Sequence, residues 1–422
     1  MTHAQRERPL IAFFDYADVF EDFYPHYGVD QLTFATRWAG SGNHAFVAAL
    51  QRDVGDVIWY ALSLAPELAE ARHEVVGCGV KFLPSSRLHR WLWRAFYLPR
   101  ASWRWRRAYR EYATIASYVA PASLALIQAL RRDRPNVFFV QSYSSGRFDV
   151  LLLLARLLRV PMIAYHAGGR HEGHLGRRAR RWTIPQVDRL IVSGHDELEV
   201  LVERFGVSRD RVSVILTPID VVAFRPMERL AALQAAGLDT GRRYLLFVGR
   251  LNDEVKRISA IIRTFADLQA AHPDVDLLIV GDGPDGAKLR SQAARYAPDR
   301  VRFLGWVSGA EAQAPLYSAA ECLVLPSWRE GFPTVVGEAM ACGTPVLASQ
   351  VGGVGELVID GETGWLVAPG DDEALRTSLA FVLSHPDAVR SMRSRVRAQA
   401  EARVAQDVVG AALRECFALA CG

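Results

Sequence analysis

Short apolar runs alternate with amphipathic stretches along most of the chain. Leu10–Phe14, Val137–Val140, Pro161–Tyr165 and Arg189–Val192 read as strands, with helices at Ser123–Arg132 and through Leu151–Leu158 between them. The rhythm restarts at Tyr244–Val248 and continues at Asp276–Val280, Val301–Leu304, Cys322–Leu325 and Val346–Ala348. Helical stretches such as Ile258–Ala271 and Gly286–Tyr296 separate these later strands. Strands that are apolar throughout, rather than at every second residue, belong to parallel sheets covered on both faces. Alternating β and α elements on this scale predict doubly wound α/β domains. The boundary is expected within Asp220–Gly241, dividing the chain into 1–223 and 224–402. In the last helix, near Ala400–Ala420, residues Val404, Val408, Val409, Ala412, Leu413 and Phe417 recur every three to four positions, which predicts one buried face.

Composition narrows the class. A chain of 422 residues suits two domains, and half of its residues are hydrophobic, which argues against a mainly disordered protein. A membrane-spanning helix needs about 20 apolar residues, and the longest plain run, Val150–Ala155, is stopped by Arg156. Leu10–Phe14 is too short for a signal-peptide core. Five scattered cysteines without a CxxC pair read as free thiols in a reducing cytoplasm. The net charge of +4 conceals an asymmetry: Lys81–Arg110 holds nine Lys/Arg, eight aromatics and no acid, so the rest of the chain sums to −5.

The most informative segment runs from Pro326 to Val346. A strand ends at Leu325, a loop carries Glu330, and a helix begins near Pro333-Thr334 and stops at Gly343. Amides from Gly331 to Thr334 would emerge at a helix N-terminus, which favours phosphate or sugar oxygens. Glu330 lies just before that terminus and Glu338 about one turn inside. Taken singly, each would be an ordinary capping or exposed acid.

Together they resemble the E-x7-E signature of GT-B glycosyltransferases, in particular the large retaining family 4. Gly331-Phe332-Pro333 and Glu338-Ala339-Met340-Ala341 match that family's usual text. The resemblance implies two facing Rossmann-like domains, with the final helix (403–422) crossing back to the first. It places Glu330 on donor sugar hydroxyls, Glu338 on the nucleotide ribose, and the amides of Phe332 to Thr334 on sugar and phosphates. Val248-Gly249-Arg250-Leu251 and Lys256 fall where the family holds the diphosphate, Arg250 as a fork and Lys256 as a point charge. Arg257 departs from the glycine common after that lysine. Val301–Val307, with Gly305 and Val307, would border the nucleobase. Gly352-Gly353-Val354-Gly355-Glu356 and Asp360-Gly361-Glu362-Thr363-Gly364 resemble two further family loops. His166, ending the Pro161–Tyr165 strand within Ala164–Arg170, would face the reacting sugar.

The catalytic set is thus His166, Arg250, Lys256 and Glu330, acting on a nucleotide-diphosphate sugar as co-substrate, with no metal or other cofactor expected. The expected acceptor is a sugar or lipid-linked hydroxyl, as in cell-envelope polysaccharide or glycolipid synthesis, although its identity cannot be carried over from the family. The loop Asp15–Tyr24 replaces the family's Gly-rich loop and should border the acceptor. Gly281-Asp282-Gly283-Pro284-Asp285-Gly286 fits G-x-G-x-x-G, but no acid ends the next strand, so it reads as a tight turn rather than a dinucleotide site. Two alternatives stay open: a nucleotide-sugar epimerase on the same fold, and a non-catalytic nucleotide-sugar binding subunit. Within the basic segment, Leu88, Trp91, Leu92, Ala95 and Phe96 share a helical face edged by Arg87, Arg90 and Arg94. That pattern suits either an anionic bilayer, on the inner face of the cell membrane, or packing on its own domain with arginines reaching outward. No nucleic-acid motif accompanies it.

Overall fold

The computed structural model describes residues 8–38, 42–96, 106–166 and 174–421. It divides into two units, one comprising Met1–Val192, Asp196–Ile215 and Gly410–Gly422, the other Ser193–His195 and Leu216–Val409.

In the first unit, strands β1 (Leu10–Phe14), β2 (Asp56–Ser63), β3 (Glu70–Arg72), β4 (Gly79–Pro84), β5 (Val137–Gln141), β6 (Met162–His166), β7 (Arg189–Val192) and β8 (Val212–Val214) form one sheet. Its order is β3-β4-β2-β1-β5-β6-β7-β8, parallel except where the edge strand β3 runs antiparallel to β4. β1, β5 and β6 are buried at every position, as expected of strands covered on both faces. β2 and β4 were not marked by the apolar runs.

The second unit holds β9 (Arg243–Val248), β10 (Val275–Val280), β11 (Val301–Gly305), β12 (Cys322–Leu325), β13 (Val346–Ser349) and β14 (Gly364–Val367) in the order β11-β10-β9-β12-β13-β14, all parallel. Chain order reverses between β9 and β12 here, and between β1 and β5 in the first unit. In open α/β sheets the loops leaving the carboxyl ends of strands at such a reversal diverge and leave room for a ligand.

The helix expected at Ala400–Ala420 is in fact two, Pro386–Val404 and Gln406–Cys421. Ala405 leaves the helical region (φ −57°, ψ 143°) and pairs with Ile219, whose N–H donates to Val404 O at 2.7 Å. The last helix belongs to the first unit, where Phe417 stacks on Phe139 at 5.8 Å and Arg414 pairs with Asp53 at 3.0 Å. Val404, Val409, Leu413 and Phe417 are buried as the periodicity predicts, whereas Val408 is exposed.

Candidate active site

The reversal in the second sheet brings the loop after β9 beside the loop after β12. β9 ends on Gly249 (φ +156°), whose N–H donates to Val280 O at 3.0 Å, and Leu251 N–H donates to Asp282 O at 2.9 Å. The loops after β9 and β10 touch backbone to backbone. A Cβ on Gly281 would lie 1.9 Å from Gly249 O, and one on Gly283 would lie 2.6 Å from Leu251 O. The G-x-G-x-x-G spacing therefore serves loop packing. Gly281 N–H also donates to Gly305 O at 2.7 Å, which ties the end of β11 to the same layer; next to it, Val307 O accepts from Gln313 Nε2 at 2.9 Å.

A one-turn helix, Asp253–Lys256, follows β9 and delivers Lys256 to Glu330, with Nζ 2.5 Å from Oε1 and both side chains largely shielded. The Arg250 side chain is exposed and makes no ion pair or hydrogen bond among the described residues, while its carbonyl accepts from Asn252 N–H at 2.8 Å. Arg257 ends the turn in the left-handed region (φ 54°) and is buried. It faces Trp328 and Asp372 rather than Glu330.

The helix after Glu330 spans Thr334–Ala341, with Pro333 as its N-cap and no side chain capping its first turn. Its free amides and dipole are available to an anion. Phe332 is buried beneath it. Glu338 lies one turn inside and accepts from the Tyr317 hydroxyl at 2.7 Å. Burial raises its pKa, against the lowering effect of the Tyr317 and Thr334 hydroxyls. Behind Glu330, Gly353 N–H donates to Gly331 O at 2.6 Å, and a Cβ on Gly352 (φ +53°) would lie 2.3 Å from Glu330 O. The Gly352-Gly353 pair is thus the floor on which Glu330 and Gly331 rest. Asp360–Gly364 instead forms the turn into β14, where the Asp360 carboxylate accepts from Leu366 N–H at 2.9 Å.

His166 lies in the first unit, buried at the carboxyl end of β6, its ring 4.3 Å from that of Tyr143. Tyr143 in turn donates to Glu197. The rest of the motif around it, Ala167–Arg170, falls outside the described residues. At the β1/β5 reversal the acidic loop contains a network that the sequence did not mark. Buried Arg147 donates to Gln141 O at 2.9 Å and to Ala17 O, and its guanidinium lies 3.6 Å from Asp15, which accepts from Tyr24 at 2.7 Å. Burial outweighs the Arg147 charge and raises the pKa of Asp15 and Asp18. The signal was an arginine two residues past Ser145, in the first turn of a helix that follows a fully buried strand.

Of the basic segment, Lys81 is absorbed into β4, paired with Asp133 at 2.8 Å. The helix Arg87–Phe96 buries His89 and turns Leu88 (55% exposed) and Trp91 (60% exposed) outward, with exposed Arg87 and Arg94 beside them. Trp103–Trp105 fall outside the described residues. No single described helix is long and apolar enough to cross a membrane. Among the described residues no group of three or more His, Cys, Asp or Glu side chains could hold a metal ion.

Residues 229–403 match the family model described as "Glycosyl transferases group 1", and residues 44–222 match "Glycosyltransferase Family 4". The D-inositol 3-phosphate glycosyltransferase of Rhodococcus jostii (strain RHA1) is 34% identical over 226 residues, 52% of this chain and 50% of that protein. The chain thus spans about half the length of the first curated relatives it matches. An enzyme of the same name from Nocardiopsis dassonvillei is 30% identical over 299 residues, 65% of this chain and 68% of that protein. Among solved structures, Anabaena HepE in complex with UDP superposes with a TM-score of 0.72 at 18% identity, covering 97% of this chain and 99% of that one.

Proposed function

We propose, from the premise that this chain belongs to the family 4 glycosyltransferases, that it transfers a sugar from a nucleoside-diphosphate sugar to a hydroxyl acceptor with retention of anomeric configuration. The observation that carries this reading is the Lys256–Glu330 pair at the β9/β12 reversal, together with an exposed Arg250 side chain that has no partner among the described residues and a helix terminus without a side-chain cap. As the bond from the anomeric carbon to the diphosphate oxygen breaks, negative charge grows on that oxygen. Lys256, Arg250 and the amides near Thr334 are the groups to stabilise it electrostatically. The acceptor oxygen bonds to the anomeric carbon on the face the diphosphate leaves, and the leaving oxygen takes the acceptor's proton. Glu330 holds sugar hydroxyls, Glu338 holds the ribose, and His166 has a positioning role. The diphosphate charge is met by protein groups in this scheme, without a metal.

None of the relatives described above is named an epimerase, so the epimerase reading has no support from them. Their names make a UDP-sugar and a phosphorylated cyclitol the first donor and acceptor to try. The helix Arg87–Phe96 supports a peripheral site on an anionic bilayer: it packs on its own domain through His89 and Trp93 and turns Leu88 and Trp91 outward beside Arg87 and Arg94. Such a location suits a lipid-linked acceptor in polysaccharide or glycolipid synthesis.

Glu330→Ala, Lys256→Ala and Arg250→Ala are to be assayed for donor hydrolysis and for transfer. Each is expected to lose most of its turnover, and unchanged turnover in all three would sink the assignment.

A further inference from the structure

Lys256 and Arg257 are neighbours in sequence, yet they grip the loop after β12 at different points. Lys256 holds Glu330 at 2.5 Å. The Arg257 guanidinium sits over the Trp328 ring, 4.8 Å from its centroid, and pairs with Asp372, with a longer contact to Pro326 O at 3.5 Å. Between them, Trp328 N–H donates to Val255 O at 2.9 Å. Gly370 forms the far wall of the indole, since a Cβ there would lie 2.3 Å from the ring. Trp328 itself is half exposed, so the core does not anchor it. At its Trp328 end the loop that carries Glu330 is therefore held by the Val255–Arg257 turn and the Gly370–Asp372 segment, while Gly352-Gly353 supports its Glu330 end.

The backbone adds a second observation. Arg257 occupies the left-handed region (φ 54°), which is unfavourable for a residue with a Cβ and which glycine would occupy freely. Its guanidinium is already committed to Asp372 and the indole, so it does not extend the cationic surface of Arg250 and Lys256.

We propose that Arg257 is a positioning residue of the donor site: by bracing Trp328 it holds the Glu330 loop in a fixed relation to Lys256, so that the Lys256 ammonium is pre-set for a diphosphate. This inference rests on reading the site as a nucleotide-sugar site. Pre-set geometry lowers the ordering cost of binding.

The test measures calorimetric affinity for UDP, GDP, ADP and dTDP well below the melting temperature. Arg257→Gly keeps the turn without strain and removes the brace. It is expected to weaken the preferred nucleoside diphosphate about tenfold, and Trp328→Ala to do the same. Arg257→Lys, which retains a cation for Asp372, should stay within about threefold of the native protein. In a Lys256→Met background, Arg257→Gly should change affinity less than twofold, because its effect passes through Lys256. Native-like affinity in Arg257→Gly, with or without a lower melting temperature, overturns the inference. So does an equal tenfold loss in the Lys256→Met background. A native protein that binds none of the four diphosphates overturns the donor-site reading itself, whereas binding that is indifferent to Arg257 removes only this inference.

Discussion

The Tyr317 hydroxyl donates to Oε2 of Glu338 at 2.7 Å, so the acid assigned to the ribose is held from a neighbouring helix before any nucleotide arrives. Burial raises the Glu338 pKa above its ordinary 4.5. Above pH 4.5 and up to that raised pKa the folded protein keeps a proton that the unfolded chain has released, so stability falls as pH rises from 4.5. Glu338→Gln is therefore expected to melt higher than the native protein at pH 7, to melt no higher at pH 4, and to bind UDP more weakly. Tyr317→Phe strands the carboxylate and should cost about 1–3 kcal/mol. Thermal melts at the two pH values together with UDP titrations check this, and a Glu338→Gln protein that melts lower at pH 7 would contradict it.

Arg250 and Lys256 should separate binding from stability. The Arg250 side chain is exposed and has no partner among the described residues, so Arg250→Ala should leave the melting temperature where it is and reduce diphosphate affinity by about one to two orders of magnitude, the range for a charge-assisted contact of roughly 1.5–3 kcal/mol. Lys256→Ala leaves a shielded Glu330 without its partner, and should lower affinity and melting temperature together. Paired melts and titrations distinguish the two, and a destabilised Arg250→Ala would refute the contrast.

The glycines of the Gly281–Gly286 turn are not equivalent. Gly281→Ala and Gly283→Ala would drive a methyl into the backbone of Gly249 or Leu251 and should cost roughly 2–4 kcal/mol, as overpacking of fixed atoms does. Gly286 opens a helix, and its nearest contact is the flexible end of Arg290 at 3.4 Å. Gly286→Ala should be neutral or stabilising by up to about 1 kcal/mol. Urea midpoints of the three variants decide, and equal loss in all of them would refute the distinction.

His44 and His73 face each other in the first unit, Nε2 to Nε2 at 3.1 Å, enclosed by Phe34 and Trp59. Burial pushes their pKa down to about 3 and about 4. Both bind protons more readily in the unfolded chain, so the stability they confer is present above about pH 6.5 and is lost as pH falls towards those values, at up to about 1.4 kcal/mol per pH unit for each histidine. In His44→Gln the stability measured by urea unfolding at pH 7, 6 and 5 should decline less steeply. An unchanged slope would mean that the pair does not govern acid unfolding.

Leu88→Glu and Trp91→Glu change exposed positions and should leave stability within about 0.5 kcal/mol. Both should abolish co-sedimentation with anionic vesicles at low salt. Absence of co-sedimentation by the native protein would remove the membrane proposal.

Five of the six strands of the second unit were legible to within one residue because they are largely apolar runs bounded by turn residues, as at Cys322–Leu325, whereas β14 was hidden inside a Gly-rich loop motif. β2 escaped because Asp56–Ser63 mixes polar ends with aromatic residues, and its identity as a buried strand comes from pairing with β1 and β4. The Lys256–Glu330 pair was foreseen only as two separate residues, since 74 positions part them and sheet order alone joins them. Tyr317 and Arg147 were invisible for the same reason. Their partners, Glu338 and the Asp15 loop, lie on other elements, and nothing local distinguishes a bridging side chain from an ordinary one. The break at Ala405 has no local marker either, and is made by the bridge to Ile219.

That bridge also bears on the order in which the protein is assembled. Ile219 and Ala405 lie near the two ends of the long segment that forms the second unit, and Arg397 further ties them by donating to Val221 O at 2.8 Å and to Phe224 O at 2.7 Å. The second unit is thus topologically an insertion whose two junctions are stitched side by side. The first unit takes its last helix from Gly410 onward, so during synthesis it waits for Phe417 to reach Phe139, although most of its residues emerge first. The inserted unit can close on itself before its host is complete, the reverse of the usual N-terminal-first sequence.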